Sequence, residues 1–378
     1  MTTDLRLQQL TQWIHQDWPN ATIEVASADA SFRRYFRVTN DGKTTIAMDA
    51  PPEQEDCTPF IDVTKRLRDA GVHAPKIIRQ DLEQGFLLLE DFGNTPYLDV
   101  LNNETADQLY GDALEALSKI QTADTNDLPE YDEAFLQQEM QLMPEWFLKT
   151  HLGITATSEQ QKTIDRILAV ITASVLQQPQ VFVHRDYHSR NLMLLDKHHV
   201  ASPKNSDIIE LPASKNETAS SLKVGGCTSL RQAQDKPSSL SRTASNNVGV
   251  IDYQDAMLGP ISYDLVSLLR DCYIQWPNEK IAKWVLAYKK QAEDAGLMDV
   301  IPEATFIQWF DYMGLQRHIK VLGIFARLNH RDGKAHYLDD LPLTLHYVME
   351  VANKYPLTRP LVELFNDWGI PAKVGLPK

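Results

Sequence analysis

The spacing of apolar and polar residues divides the chain into a first part with short strands and a second part dominated by helices. Apolar residues recur at helical spacing within residues 4–18, which predicts an amphipathic first helix. Bulky and polar side chains alternate over residues 31–38, and residues 44–48 form a matching partner strand. The sequence Asn-Asp-Gly at 40–42 lies between these strands and favours a hairpin turn, because all three residues tolerate positive φ.

Helical periodicity returns over residues 58–71 and dominates the chain beyond residue 98. Further strands are predicted at residues 76–80, 86–89, 181–183, 192–195 and 248–251. Further helices are predicted over residues 107–120, 133–151, 158–177, 263–276, 279–295 and 306–328. This order predicts an α+β chain with a small β-rich lobe at residues 1–93 and a larger, mainly helical lobe at residues 94–378.

Residues 201–247 differ in composition from the rest of the chain. These 47 residues contain ten serines and no aromatic residue, so they offer too little apolar surface to form a packed core. We expect a flexible insertion that lengthens the connection between the strands at 192–195 and 248–251. A regulatory or partner-binding arm is the alternative.

Charge and cysteine content limit the partners and the location of the protein. The net charge of −14 disfavours non-specific binding to nucleic acids or to an anionic membrane, since both require a basic surface. Cys57, Cys227 and Cys272 lie far apart, which is typical of neither a disulfide framework nor a zinc site. The first residues are polar and no apolar run reaches membrane-spanning length, so we expect a cytoplasmic protein.

The most informative motif is HRDYHSRN at residues 184–191, which matches the kinase catalytic-loop pattern H-x-D-x-x-x-x-N. In such a loop Asp186 would accept the proton of a substrate hydroxyl group, and Asn191 would bind Mg²⁺ through its carboxamide oxygen. Asp252 follows a later apolar run and supplies a second oxygen ligand of the kind that Mg²⁺ prefers. Together they predict phosphoryl transfer from a nucleotide; a polar loop that is merely hydrogen-bonded is the alternative.

Residues near these motifs have weaker assignments. Asp255 is either an auxiliary metal ligand or a solvated acid. Asp264 opens a helix, either as an acid favoured by the helix N-terminus or as a buried acceptor for catalytic-loop amides. We assign structural roles to His184 and Asp264. Only 11 residues separate Asp252 from Asp264, too few for the peptide-binding segment of a protein kinase, so we expect a small-molecule substrate.

Two groups of residues are expected to contact the nucleotide. The hinge, whose backbone groups would meet adenine, consists of Glu90, Asp91 and Phe92. The roof over the phosphates consists of Ser31, Phe32, Arg33 and Arg34. No glycine-rich loop is present, and the two arginines either bind phosphates or are solvated on an edge strand. Met48 occupies the position where a phosphate-pairing lysine normally closes the next strand, which leaves open what replaces that lysine.

Longer stretches of the chain resemble the aminoglycoside phosphotransferase/choline kinase-like family. They are SFRRYFRV at 31–38, AMDAPP at 47–52, residues 184–193, GPISYDLVSLLRDCY at 259–273 and QRHIKVLGIFARL at 316–328. The resemblance covers nearly the whole chain except the insertion and is strongest to a bacterial branch that phosphorylates amino sugars in cell-wall recycling. It implies a bilobal protein-kinase-like fold and the roles given above for Asp186, Asn191 and Asp252. That branch also lacks the strand lysine.

The resemblance further implies a reaction and its substrates. It implies ATP- and Mg²⁺-dependent phosphorylation of the C1 hydroxyl group of N-acetylmuramate and N-acetylglucosamine, giving an α-1-phosphate for UDP-sugar synthesis. Candidate sugar contacts are His188, Arg317, Lys320 and Arg327. Arg317 and Lys320 share a helix face, and an arginine fork suits the lactyl carboxylate of N-acetylmuramate; a salt-bridged helix surface is the alternative. His188 either reaches the sugar or braces the loop.

Two other functions remain open. A related kinase acting on an aminoglycoside or an amino alcohol would need an acidic pocket, for which Glu139, Glu145 and Asp271 are the candidates. A non-catalytic nucleotide-binding scaffold is suggested by Met48 and the missing glycine-rich loop, although a scaffold has no use for a base and two metal ligands. The sequence gives no indication of oligomeric state.

Overall fold

The computed structural model describes residues 4–28, 32–195 and 248–377. The strands are β1 Thr22–Ala28, β2 Arg34–Asn40, β3 Lys43–Asp49, β4 Ile77–Asp81, β5 Phe86–Glu90, β6 Gln180–Val183, β7 Leu192–Leu194, β8 Val248–Val250 and β9 Met257–Pro260. The first α-helices are α1 Leu5–His15, α2 Thr58–Asp69, α3 Tyr97–Val100, α4 Ala106–Ile120, α5 Glu133–Met140 and α6 Ser158–Val175. The later ones are α7 Tyr263–Leu269, α8 Asn278–Asp294, α9 Glu303–Asp332, α10 Leu341–Lys354, α11 Arg359–Asp367 and α12 Ile370–Val374. A π-helix spans Met143–His151, and a 3-10 helix spans Ala335–Asp340.

The first five strands form one antiparallel sheet in the order β1-β2-β3-β5-β4. The predicted hairpin is confirmed, because Asn40 pairs with Lys43 and the residues between them, Asp41 and Gly42, have positive φ values of 49° and 75°. Helix α1 packs against one face of the sheet, and α2 packs through Phe60 against a separate apolar cluster that includes strands β3 and β5. The β-rich lobe is therefore a sheet with apolar packing on both faces.

Helix α9 is the centre of the helical part and packs against the π-helix, α6, α7 and α10. Every residue from 310 to 323 is buried, so this helix lies inside the protein rather than on its surface. Its buried segment nevertheless contains five polar side chains with strong hydrogen-bonding demands, namely Asp311, Gln316, Arg317, His318 and Lys320. Burial of such groups requires partners, and these partners define the candidate site.

Two short ladders carry the predicted chemical residues. Strand β6 pairs with β9, and β7 pairs with β8 so that Leu192 lies opposite Val250. Because β7 and β8 are antiparallel neighbours, the residue before β7 and the residues after β8 meet at the same end of this ladder. The expected flexible insertion, residues 201–247, lies outside the described residues.

The α+β architecture is confirmed, with a sheet in the first part and mainly helices after it. The predicted helix over 263–276 is wrong in its second half, because the Asp271 carboxylate accepts the amides of Ser189 and Tyr273 and draws the chain out of helical geometry. The predicted helix over 133–151 is divided into α5 and the π-helix, and α9 is longer than expected. Within the described ranges, none of the helices has the length and apolar character needed to cross a membrane.

Candidate active site

The loop between β6 and β7 is fixed by two buried side chains. The Asp264 carboxylate, at the start of α7, accepts hydrogen bonds from the amides of His184 (2.7 Å) and Arg185 (3.0 Å). The amide of Asp186 donates to Nδ1 of His184 (3.2 Å), so the imidazole proton lies on Nε2, which donates to the Ile251 carbonyl oxygen (3.1 Å). His184 and Asp264 therefore connect the loop to α7 and to the end of β8.

Burial changes the acid–base properties of both side chains. Burial lowers the pKa of His184 to about 4, so the ring is neutral at physiological pH, as its hydrogen bonds require. Burial raises the pKa of Asp264 to about 7, although the two amide hydrogen bonds act in the opposite direction. Arg185, which directly follows His184, has a φ of 78°, a left-handed conformation that is uncommon for a residue other than glycine. The hydrogen bonds from the backbone amides of His184 and Arg185 to the Asp264 carboxylate hold this conformation.

The three residues predicted to carry phosphoryl transfer lie together. Nδ2 of Asn191 donates to the carbonyl oxygen of Asp186 (3.0 Å) and to Oδ2 of Asp252 (3.1 Å). Nε2 of Gln254 donates to Oδ1 of Asp252 (3.0 Å), so both carboxylate oxygens are held by amide groups. Oε1 of Gln254 is buried and has no hydrogen-bond partner in the described part of the chain. A buried acceptor without a hydrogen-bond partner, such as Oε1 of Gln254, is typical of a site in which a cation or a water molecule supplies the partner.

The donor set of Asn191 and Asp252 fits a magnesium ion that arrives with a nucleotide. Carboxylate and carboxamide oxygens are hard ligands of the kind Mg²⁺ prefers. Across residues 4–28, 32–195 and 248–377, no group of three or more His, Cys, Asp or Glu side chains is placed to hold a metal ion. A cation bound by these two residues would therefore complete its shell with water and phosphate oxygens, as Mg²⁺ does in kinases.

Asp186 lies in a positively charged environment. Burial by itself would raise the pKa of its carboxyl group, but the positive charges of Arg317, Lys320 and Arg185 outweigh burial, and the pKa is lowered. The carboxylate is therefore ionised at neutral pH, which a proton acceptor requires.

A buried network connects these cations to one another. The hydroxyl oxygen of Tyr263 accepts from Nη1 of Arg317 (3.1 Å) and from Nζ of Lys320 (3.0 Å). Glu139 forms ion pairs with Lys320 (2.7 Å) and Arg185 (3.0 Å), and Arg317 also donates to the Arg185 carbonyl oxygen (3.0 Å). Arg317 and Lys320 are each only 7% exposed, so they belong to a buried polar network and not to an exposed helix surface. Their contact with a sugar stays a prediction.

The other two candidate sugar contacts have different positions. His188 lies in the loop between β6 and β7, and burial lowers the pKa of its imidazole. Its Nδ1 has no hydrogen-bond partner among the described residues, and its ring meets Tyr273 edge-on. Arg327 lies seven residues beyond Lys320, about 10 Å along the helix axis. Its charged neighbours are instead Glu145, Arg331 and Asp332. The structure therefore does not bring Arg327 to Asp186.

A cleft of about 490 Å³ lies between the five-stranded sheet and the ladder of β7 and β8. Its sheet side includes Tyr35, Arg37, Ile46 and Leu89, and its other side includes Arg190, Asn191, Met193, Ile251 and Asp252. The predicted hinge residues Glu90, Asp91 and Phe92 line one end. An apolar pocket with a few polar groups at one edge is typical of a nucleotide or small-molecule site.

The position of Arg34 contradicts the prediction that it contacts the nucleotide. Side chains alternate along β2, so Tyr35 and Arg37 face the cleft while Arg34 faces α1 on the other side of the sheet. Arg34 forms ion pairs with Asp49 (2.6 Å) and with Asp4. The alternative of a solvated edge strand is also wrong, because β2 pairs on both sides.

The rest of the predicted roof is only partly described. Ser31 lies outside the described residues, and the side chain of Phe32 is 62% exposed. Arg33 is buried and forms an ion pair with Glu55 (3.1 Å) at the approach to α2. Nucleotide contacts by Phe32 and Arg33 stay predictions. Met48 is fully buried in the apolar cluster around α2.

Sequence reasoning missed several residues that build this site. Arg37 lines the cleft and forms a bidentate ion pair with Asp91 (2.6 and 3.0 Å). The alternation along β2 could have placed Arg37 beside Tyr35 on the cleft face. Gln254 and Tyr263 carried no such signal, because their partners lie far away in sequence and meet them only in the folded chain.

Comparison with known proteins gives a family and close relatives. The model of the phosphotransferase enzyme family matches residues 22–201 and 240–301. A protein from Pseudomonas putida named N-acetylmuramate/N-acetylglucosamine kinase is 39% identical over 377 residues, 96% of this chain and 97% of the relative. A protein of the same name from Neisseria meningitidis is 37% identical over 95% of this chain and 96% of its own length.

Solved structures are similar in fold at much lower identity. An aminoglycoside phosphotransferase with ADP bound has a TM-score of 0.54 at 12% identity, covering 92% of this chain and 99% of the other. A Plasmodium vivax ethanolamine kinase has a TM-score of 0.56 at 9% identity, covering 90% of this chain and 84% of the other. These matches concern the fold alone.

Proposed function

Because the chain belongs to the phosphotransferase enzyme family, we propose that it is an ATP-dependent kinase for the C1 hydroxyl group of N-acetylmuramate and N-acetylglucosamine. The observation that carries this proposal is the 37–39% identity, over nearly the whole chain, to relatives named for these two sugars. The choice of the C1 hydroxyl follows from the resemblance of the sequence stretches to amino-sugar kinases of cell-wall recycling. The product would be a sugar 1-phosphate.

Asp186 is proposed as the group that positions the hydroxyl and accepts its proton. Phosphoryl transfer has a loose transition state, so the base orients the nucleophile and takes the proton late. The lowered pKa of Asp186 keeps the carboxylate ionised, and the positive network behind it stabilises that charge. The Asp264 carboxylate accepts a hydrogen bond from the His184 amide, and the His184 ring accepts one from the Asp186 amide. These hydrogen bonds limit the positions that Asp186 can adopt, which reduces the entropy lost on reaching the transition state.

The nucleotide is proposed to occupy the cleft, with adenine at Glu90 to Phe92 and the phosphates toward Asn191 and Asp252. Asn191 and Asp252 would hold Mg²⁺, whose chemistry is the neutralisation of charge on the phosphoryl oxygens. Gln254 and Asn191 keep the Asp252 carboxylate in place through their amide groups. The apolar side chains of Ile46 and Ile251 would cover the faces of the base.

The charge around Asp186 supports a neutral or acidic sugar over a cationic substrate. Two of the acids that an aminoglycoside or amino alcohol would require are already engaged. Glu139 pairs with Lys320 and Arg185, and Asp271 accepts hydrogen bonds from the backbone and hydroxyl of Ser189. A cation placed beside Asp186 would also meet these positive groups, which costs electrostatic energy.

The test is product formation from ATP and Mg²⁺ with N-acetylmuramate, N-acetylglucosamine, an aminoglycoside and choline, followed by ³¹P NMR and ADP release. We expect a new anomeric phosphate from the two amino sugars only. Asp186→Asn should lower kcat about 10²- to 10⁴-fold and leave ATP affinity nearly unchanged, because the base acts in the chemical step. Asp165→Asn, an exposed acid on α6, is the matched control and should behave like the wild type.

Turnover of only the cationic compounds would refute the sugar assignment. Retention of more than about a tenth of kcat in Asp186→Asn would remove Asp186 from the role of base, since positioned bases contribute at least about 10²-fold. ATP binding without turnover of any compound would favour a nucleotide-binding scaffold.

A further inference from the structure

Among the described residues that line the cleft there is no lysine, although a lysine usually faces the nucleotide phosphates in kinases. Met48, at that position of β3, is fully buried against the cluster that contains Phe60 and Leu87. A nucleoside triphosphate is strongly anionic, and this chain has a net charge of −14. A local cation is therefore needed in the cleft to offset the repulsion.

In the part of the chain that the structure describes, two cationic side chains line the cleft: Arg37 and Arg190. Arg37 is bidentate to Asp91, and its Nη2 also donates to the Gly93 carbonyl oxygen (3.1 Å). Its charge is thereby neutralised at the hinge. Arg190 differs, because no carboxylate among the described residues lies within ion-pair distance of its guanidinium group, and Asp340 interacts with it only at longer range.

The guanidinium group of Arg190 is oriented by an aromatic ring. Its central carbon lies over the ring of Tyr273, 3.4 Å from the ring centroid. Stacking of this kind holds the plane of the group while its N–H donors remain directed outward along the edge. The edge of a guanidinium group matches two oxygens of a phosphate or carboxylate.

Arg190 also lies in the right part of the cleft. It directly precedes Asn191, whose carboxamide contacts Asp252, so it shares a wall with the proposed magnesium ligands. His188, two residues earlier, has an unpartnered buried Nδ1 among the described residues and borders the same Tyr273 ring. An anion between the nucleotide and the sugar would therefore come within reach of Arg190.

We propose that Arg190 binds an anionic group of a bound substrate. If that group is the nucleotide phosphate, Arg190 takes the place of the missing strand lysine. The inference rests on the proposed function. The shared chemistry is a planar or tetrahedral oxyanion, and it has two sources in this reaction: the terminal phosphate of the nucleotide and the lactyl carboxylate of N-acetylmuramate.

The test compares Arg190→Gln and Arg190→Lys with the wild type and with Arg166→Gln, which changes an exposed arginine on α6 outside the cleft. Calorimetry gives the affinities for ATP, ADP and adenosine in the presence of Mg²⁺ and without sugar. Steady-state kinetics then give KM and kcat for N-acetylmuramate and N-acetylglucosamine. Because Arg190 is exposed, we expect all variants to melt near the wild-type temperature.

If the anion is the phosphate, Arg190→Gln should weaken ATP binding about tenfold or more and leave adenosine binding unchanged. If the anion is the carboxylate, KM should rise by a similar factor for N-acetylmuramate and not for N-acetylglucosamine. Arg190→Lys should recover part of either loss, because it keeps the charge and loses the planar fork.

Two results would overturn the proposal. One is that Arg190→Gln has the wild-type affinity for ATP and the wild-type KM for N-acetylmuramate. The other is an equal loss for ATP and adenosine together with an equal rise of KM for both sugars, which indicates a structural role. The nucleotide-binding measurements use no sugar. If the protein binds ATP but phosphorylates neither sugar, the proposed function is contradicted, and the binding measurements still test the role of Arg190.

Discussion

At the scale of single residues, burial decides the charge state of His318. His318 on α9 is fully buried, donates from Nε2 to the Arg270 carbonyl oxygen (2.9 Å) and stacks on Tyr347. Burial lowers its pKa to about 3, and the charges of Arg270 and Arg317 act in the same direction. The ring is therefore neutral in the folded protein well below pH 6.

This burial predicts a specific pH dependence of stability. The folded pKa lies below the unfolded value of about 6.5, so below that pH the unfolded chain binds a proton that the folded protein does not. The contribution of His318 to the free energy of unfolding therefore decreases as pH falls from about 6.5 toward 3. His318→Gln should destabilise the protein less at pH 5 than at pH 7.5, by up to about 2 kcal/mol.

Urea unfolding of the wild type and His318→Gln at the two pH values measures this difference. Taking the difference between the two proteins removes the contributions of all other titrating groups, including the opposite one from Asp264. A free-energy difference that is the same at both pH values would show that His318 does not titrate between the folded and unfolded states.

At the scale of elements, close packing of α9 against the segment before the π-helix depends on Gly323. A Cβ atom at this position would lie 2.3 Å from the backbone carbonyl carbon of Leu142, so the two segments could not approach as they do. This contact fixes one side of α9, the helix that carries Arg317 and Lys320. Gly111, within α4, has no atom within 4 Å of the corresponding position.

The two glycines predict opposite effects of the same substitution. Gly323→Ala should lower the free energy of unfolding by about 1–3 kcal/mol, because backbone must move to make room. Gly111→Ala should raise it by about 0.5–1 kcal/mol, since alanine lowers the entropy of the unfolded chain without a clash. Thermal and denaturant unfolding of both variants tests the pair, and destabilisation by Gly111→Ala would contradict the packing argument.

At the scale of the whole molecule, α2 of the β-rich part contacts the loop that follows β8. The hydroxyl groups of Thr64 and Tyr253 are hydrogen-bonded (2.8 Å), and Phe60 stacks on the Tyr253 ring. Tyr253 directly follows Asp252, so this contact connects the first part of the chain to the proposed metal ligand. The position of the five-stranded sheet relative to β7 and β8 depends partly on this contact between α2 and Tyr253.

A double-mutant cycle measures this connection. Thr64→Val and Tyr253→Phe each remove one hydroxyl group with little change in shape, and their effects on unfolding should be coupled by about 0.5–1.5 kcal/mol. The matched cycle pairs Thr64→Val with Tyr288→Phe, whose hydroxyl donates to Gln121 instead. We expect no coupling there, and additive effects in the first cycle would mean that the two hydroxyl groups do not stabilise each other.

Much of the fold could be predicted from local pattern. The first helix, the hairpin at Asp41 and Gly42 and the strands around the catalytic loop follow from periodicity and turn chemistry, which act between near neighbours. The end of α7 could not be predicted, because it depends on a hydrogen bond between the Asp271 carboxylate and the amide of Ser189, 82 residues away in the sequence. The side of the sheet that Arg34 faces follows from the alternation along β2, once the helices on its two faces are known.

By itself, the sequence determined the class of chemistry and the residues proposed to carry it, because the spacing of Asp186 and Asn191 within one loop is a local property of the chain. Only the tertiary structure decided how these residues are supported. The network of Glu139, Tyr263 and Arg317 and the position of Arg190 in the cleft arise when distant segments pack together. Long-range contacts between polar groups leave no periodic pattern along the chain, and their energies depend on burial that exists only after folding.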